Sequence, residues 1–166
     1  MDNVTSRTDL LWETIQERED YPIFRLVYLS RPTRPFSDED FDDIESKSVE
    51  ANHLRDVTGL LIVDGDRVLQ ILEGRESAVR KLYTKIEADP RHTVMKLIGP
   101  VRDDVRLLMT WNMVVRGLTG IPLNLLEQFT EIYDKLQKAY PGKEISIEEV
   151  ELFKTISLFG SLALRV

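Results

Sequence analysis

The sequence holds no cysteine, which excludes disulfides, thiolate nucleophiles and cysteine-based metal sites. Histidine is nearly as scarce: His53 and His92 are the only two, too few for a histidine-rich metal centre. Positive charge is in deficit, with 22 Lys and Arg against 29 Asp and Glu and a formal net charge of -7. That balance argues against nucleic acid as a partner, because neutralising phosphates requires a basic face. No apolar run approaches the roughly 18 residues that span a bilayer. The opening Met1 to Asp9 is polar and lacks the apolar core of a secretion signal. These absences predict a cytoplasmic protein with no metal, no nucleic-acid partner and no membrane partner. At 166 residues, 42% hydrophobic and 31% charged, the chain suits one soluble globular domain with appendages.

What is present centres on residues 52–74. Val57 to Val63 and Arg67 to Leu72 are β-branched and aliphatic, and Asp64-Gly65-Asp66 between them tolerates the left-handed backbone of a tight hairpin turn. Alternation along the second strand puts Val68, Gln70 and Leu72 on one face and Leu69 and Ile71 on the other, so both faces read as buried. Gln70 is then a carboxamide in apolar surroundings. Its donor and acceptor ends must both be met, since an unmet one costs about 1–3 kcal/mol. Two readings follow: a glutamine at the core edge bonded to backbone, or an amide that meets a polar ligand.

The flanking segments predict an α+β chain. Residues 1–22 precede the first strand; within them Ser6 to Asp20 reads as a helix whose Leu10, Leu11, Trp12 and Ile15 make it a docked arm or an interface element, the other reading being a disordered tail. Ile23 to Ser30 alternates as a strand with Phe24, Leu26, Tyr28 and Ser30 on one face. Ser37 caps a helix that opens with Asp38, Glu39 and Asp40 and runs to about Leu54. Ile44, Ser48 and Asn52 share one side of it, beside Phe41 and Ala51, so Ser48 and Asn52 either line an amphipathic ligand or are solvated and cap the helix end. A second helix runs from Gly74 to about Asp89, with Val79, Leu82, Tyr83 and Ile86 on its apolar stripe and Lys85 spaced to pair with Asp89. Val94 to Ile98 and Val105 to Val115 read as two further strands.

This order predicts a ferredoxin-like βαββαββ sandwich, with a five-stranded sheet and two core helices on one face. A slot between two helices above a sheet is a natural pocket for a flat ligand. After it, Leu126, Phe129, Tyr133, Leu136 and Tyr140 form one helical stripe. Pro141-Gly142 breaks it, and a Ser146/Glu149 capping box opens a second helix with Val150, Phe153, Ile156 and Phe159. This pair is expected to cover the bare sheet face. The predicted organisation is an extension over 1–22, a core over 23–115 and a helical pair over 116–166.

Five short motifs now stand in order: Tyr28-Leu29-Ser30 at a strand end, Asn52 seven residues before Gly59, Gln70 within Leu-Gln-Ile-Leu-Glu-Gly, Asp89-Pro90-Arg91-His92 after a helix, and Trp111-Asn112-Met113 late in a strand. Together they resemble the BLUF family, blue-light sensors that use FAD, over about residues 23 to 115, here as a stand-alone short photoreceptor. The resemblance implies an isoalloxazine held between the two core helices, flanked by Ile44 and Ile86, with Asn52 bonding its C4=O and N3-H edge and Lys85, or more weakly Ser48, donating to C2=O. It implies a cofactor-binding set of Tyr28, Ser30, Ile44, Ser48, Asn52, Gln70, Lys85, Ile86, Asp89 and Met113. It further implies a photoactive set of Tyr28, Gln70, Trp111 and Met113, in which light drives electron and proton transfer through Tyr28, Gln70 and the flavin and leaves a rearranged hydrogen-bond network. The position two before Gln70, often aromatic in the family, is Val68 here. His92 is read as a structural hydrogen-bonder outside the pocket and His53 as exposed.

About 50 residues follow Val115, whereas a catalytic effector domain needs roughly 100 or more. The expectation is therefore a receptor that is not itself an enzyme, signals through a partner protein and forms a homo-oligomer. The competing readings are a ferredoxin-like interaction module without flavin and a small flavin oxidoreductase. Against the oxidoreductase stands the lack of a nicotinamide-binding glycine motif or a second acid or base.

Overall fold

The computed structural model describes residues 22–109, 113–118, 120–140 and 143–163. The expected N-terminal helix and the Trp111-Asn112 pair lie outside the described residues. The elements are β1 (Ile23–Pro32), α1 (Asp38–Arg55), β2 (Thr58–Asp64), β3 (Arg67–Gly74), α2 (Glu76–Glu87), β4 (His92–Asp103), β5 (Met113–Arg116), α3 (Leu123–Lys138) and α4 (Ile147–Ala163). Strands β4, β1, β3 and β2 form an antiparallel sheet in that order, and β5 joins beyond β2 in parallel.

The β2–β3 hairpin forms where the turn chemistry placed it. Gly65 adopts φ 59°, open to glycine at no steric cost, and Asp64 and Arg67 close the turn with an ion pair. Ser37 caps α1 as expected: its hydroxyl accepts from the Asp40 amide at 3.2 Å, while the Asp40 carboxylate accepts from the Ser37 amide at 2.8 Å. The same reciprocal pair recurs at α4 between Ser146 and Glu149.

Both sheet faces are covered. On one, Phe24, Leu26, Tyr28 and Leu72 pack against Val79 and Tyr83 of α2, and Leu61, Val63 and Val68 meet Phe41 of α1. On the other, Val27, Leu29, Leu60, Ile62, Leu69 and Ile71 pack against Phe129, Tyr133 and Leu136 of α3 and Val150, Phe153 and Ile156 of α4. Each such side chain contributes about 1.5–3 kcal/mol when fully buried. The helix α1 is the exception in this packing. It buries only Asp40, Phe41 and Asn52, because Lys47 and Ser48 stand where a core helix would carry aliphatics. A gap therefore opens beneath it.

Several boundaries differ from the sequence reading, among them β1, which runs to Pro32 rather than Ser30. The helix α2 begins at Glu76, not Gly74: Gly74 still pairs with Phe24 in β3, and a Cβ there would lie 3.1 Å from the Asp56 carbonyl and the Val57 side chain. Strand β4 is longer than Val94 to Ile98, since its ladder with β1 extends from His92 opposite Pro32 to Asp103 opposite Ile23. Val105 to Val115 is not one strand. Residues 104–109 are irregular and held by side chains of other strands, and β5 is described from Met113 to Arg116. Among the described residues no helix is long and apolar enough to cross a membrane.

Candidate functional site

The gap beneath α1 is a cavity of about 370 Å³ between α1, α2 and the sheet. Ile44, Ala51, Leu61, Val68, Leu82 and Ile86 give it apolar walls, and Tyr28, Ser48, Asn52, Gln70, Lys85, Asp89, Arg91 and His92 supply its polar groups. That mixture, mostly apolar with a few placed polar atoms, is the composition of a small-molecule site. Its floor is set by register. Gln70 has Tyr28 opposite it in β1 and Leu61 opposite it in β2, so all three come to the cavity face together.

The Tyr28 hydroxyl donates to Gln70 Oε1, and both side chains are buried. This leaves the amide N–H₂ end of Gln70 for the cavity. Burial, with Tyr83 and Asp89 nearby, pushes the Tyr28 phenol far above the usual tyrosine range, so it stays protonated. Its ring meets Tyr83 edge-on with centroids 5.7 Å apart.

Two buried polar atoms at the cavity lack a partner. Asn52 Oδ1 has no hydrogen-bond partner, although the Asn52 backbone carbonyl is used by Val57. His92 Nε2 lies 2.7 Å from the Ile86 carbonyl and donates to it, while Nδ1 of the same ring is buried and unpartnered. An orphaned acceptor costs about 1–3 kcal/mol unless a ligand meets it. One end of the cavity is braced by ion pairs: Arg91 binds Asp89 at 2.6 Å and Asp43 at 3.0 Å, and Arg34 binds Asp40 at 2.5 Å. The Arg91 guanidinium holds the Asp89 carboxyl below the usual carboxylate range.

Of the residues singled out from sequence, Tyr28, Ile44, Ser48, Asn52, Gln70, Lys85, Ile86 and Asp89 surround this one cavity. Ser30 does not. The β1–β4 register shifts between Leu29 and Ser30, and Ser30 lines a separate space of about 170 Å³ with Arg31, Arg67 and Tyr133. Met113 stands in β5 level with Leu60, its side chain outside the described residues, as is Trp111. His92 corrects the sequence reading: β4 starts at His92, which brings the ring 5.9 Å from that of Tyr28 and into the cavity wall. Asp89 pairs with Arg91 rather than with Lys85. His53 is exposed as expected. Sequence reasoning passed over Lys47 and Arg55, which the spacing of three from Ile44 and Asn52 could have placed at the same wall. Among the described residues there is no cluster of three His, Asp or Glu able to hold a metal.

A family model described as "Sensors of blue-light using FAD" (BLUF) matches residues 23–114, which span every element that lines the cavity. The chain belongs to the BLUF family. Its BLUF domain is a flavin-binding sensor of blue light, and its cofactor is FAD. Photoactivated adenylate cyclase subunit beta of Euglena gracilis is 32% identical over 93 residues, 56% of this chain but 11% of that protein. The blue light- and temperature-regulated antirepressor BluF of Escherichia coli (strain K12) is 34% identical over 67 residues, 40% of this chain and 17% of its own. The chain thus spans a small part of these relatives' length. Among solved structures, the dark state of BlrB, a BLUF protein, superposes with a TM-score of 0.58 at 26% identity, covering 83% of this chain and 97% of that one. A bacterial light-regulated adenylyl cyclase gives 0.55 at 27% identity over 84% of this chain and 40% of the other.

The BLUF cofactor fits what the cavity lacks. An isoalloxazine carries an imide N–H for an orphaned acceptor such as Asn52 Oδ1, carbonyls for donors such as Gln70 Nε2 and Lys85 Nζ, and apolar faces for Ile44 and Ile86.

Proposed function

We propose that this BLUF protein senses blue light through a Tyr28–Gln70 switch and passes its state on by protein–protein contact. The observation that carries the reading is the Tyr28 hydroxyl bonded to Gln70 Oε1 in the cavity floor, with the other end of the amide left for a ligand. When bound, the flavin supplies a chromophore for blue light and, once excited, a strong oxidant. Tyr28 is the electron and proton donor. Its phenol is too weak an acid in this buried setting to release a proton unless an electron leaves too. Gln70 would accept that proton at Oε1 and release one from its N–H₂ end, and once an electron and a proton have returned to Tyr28 the amide would remain rotated or tautomerised, since its two ends differ in donor and acceptor character.

Around this switch, Ile44 and Ile86 flank the ring, Asn52 receives its imide N–H, and Lys85 and Ser48 are donors to the second carbonyl. Asp89 acts through Arg91, bracing that end of the cavity. Trp111 and Met113 lead the change into β5, against which α4 packs. Residues 23–115 are the sensing unit. The N-terminal extension and the C-terminal helices contribute to a homo-oligomer in the cytoplasm and to a downstream signalling partner.

The test is reconstitution of apoprotein with FAD followed by blue light. A reversible red shift of the flavin absorbance is expected; a colourless product, or a flavin spectrum that light leaves in place, overturns the reading.

A further inference from the structure

Strands β4 and β5 stand at opposite edges of the sheet, and the segment that leaves β4, described over residues 104–109, runs along the ends of β1, β3 and β2. Each of those strands grips the passing segment. From β1, Arg25 donates to Asp103 Oδ2 at 3.2 Å and to the Val105 carbonyl at 3.1 Å. From β3, the Glu73 carboxylate accepts the Leu107 amide at 3.1 Å and the Leu108 amide at 2.7 Å, as well as Arg25 Nε at 2.5 Å. At β2 the direction reverses, and Arg106 of the segment donates to Thr58 Oγ1 at 2.8 Å and to the Asp56 carbonyl at 3.0 Å.

Glu73 is the centre of this clasp. It is 0% exposed and its partner Arg25 3%, and a buried ion pair is often no more stabilising than apolar residues of the same volume. What an apolar pair would not do is hold two backbone amides of a distant segment. That segment carries Val105, 60% exposed, and Met109, 77% exposed, and leads directly to Trp111 and β5. Glu73 is also three residues from Gln70 on one strand, about 10 Å along it.

We propose that Glu73 is a positioning residue that couples the Gln70 strand to the segment entering β5, so that rearrangement at Gln70 loosens the hold on Leu107 and Leu108. The coupling rests on the reading of Gln70 as the switch amide. The clasp itself does not.

Hydrogen exchange at the Leu107 and Leu108 amides, measured on the full FAD-loaded chain in dark and in blue light, tests this beside the flavin absorbance. Wild type should exchange at these two amides about tenfold faster in light than in dark. Glu73→Gln keeps the side-chain shape and weakens the acceptor. Because it leaves Arg25 beside a neutral partner, the double variant Arg25→Met with Glu73→Leu is measured alongside. Both should exchange fast already in the dark, gain nothing in light, and keep the light-induced flavin shift. Equal exchange in dark and light for wild type, or a light-dependent difference retained in the variants, would overturn the proposal. A wild type without any flavin shift would remove the photochemical reading and with it the coupling, while the dark comparison of wild type and variants would still decide whether Glu73 clasps the segment.

Discussion

Tyr28 and Gln70 face each other directly across the β1–β3 ladder, and the phenol donates to the carboxamide oxygen. Because side chains alternate, a slip of one residue in this register would turn Gln70 away from the cavity and into the opposite core. The hairpin turn at Gly65 and the apolar residues on both faces of β3 hold the pair in place.

Gln70→Leu should keep FAD bound and lose the light-induced red shift. Leucine fills the same space beside Leu61 but has no hydrogen bond to rearrange. Absorbance spectra before and after blue illumination check this, and a normal shift in the variant would assign the switch elsewhere.

Tyr28→Phe should also bind FAD yet fail to photoconvert, since phenylalanine is much harder to oxidise and has no hydroxyl proton. The change leaves Gln70 Oε1 without its donor, so thermal stability should fall by about 1–3 kcal/mol. A variant that cycles at the wild-type rate would point to a different electron donor.

Asn52→Ala should weaken flavin retention and leave the shift of the bound fraction intact. Each lost hydrogen bond contributes about 0.5–1.5 kcal/mol, or roughly two- to tenfold in Kd. Titration of apoprotein with FAD measures this, and unchanged affinity would reduce Asn52 to the end of α1.

Asp89 predicts an acid-side loss of stability. Its carboxyl is held below the ordinary range by Arg91, so the folded state binds this proton less readily than the unfolded state. The contribution is therefore present above the usual carboxylate range near pH 4 and disappears as pH falls through the lower folded value. Asp89→Asn should lower stability at neutral pH and flatten the pH dependence below about pH 4. Chemical unfolding from pH 3 to 7 would show it, and parallel curves for the two proteins would refute it.

Much of this was legible because it is local. Period-two alternation grouped Tyr28 with Phe24 and Leu26 and Gln70 with Val68 and Leu72, and Ser37, Asp40, Ser146 and Glu149 announced their caps within four residues. The departures involve partners distant in sequence. Val105, Leu107, Leu108 and Met109 read as a strand because they are apolar, but Arg25 and Glu73, more than thirty residues away, set their path. His92 looked remote from the pocket until pairing with Pro32 carried β4 one turn of the ladder further. Arg91 is the local exception: two residues from Asp89, it takes the carboxylate that Lys85, four residues away, was spaced to pair with.

The parallel pairing of β5 with β2 also orders the assembly of the chain. The β2–β3 hairpin can zip from its own turn, whereas Met113 can find Leu60 only after the antiparallel sheet exists and its connection has been threaded past three strand ends. The four-residue strand β5 is thus expected to form last in the sheet and to open first, coming away while the floor of Tyr28 and Gln70 stays folded. Native-state hydrogen exchange ranking the β5 amides as more protected than those of β3 would contradict that order.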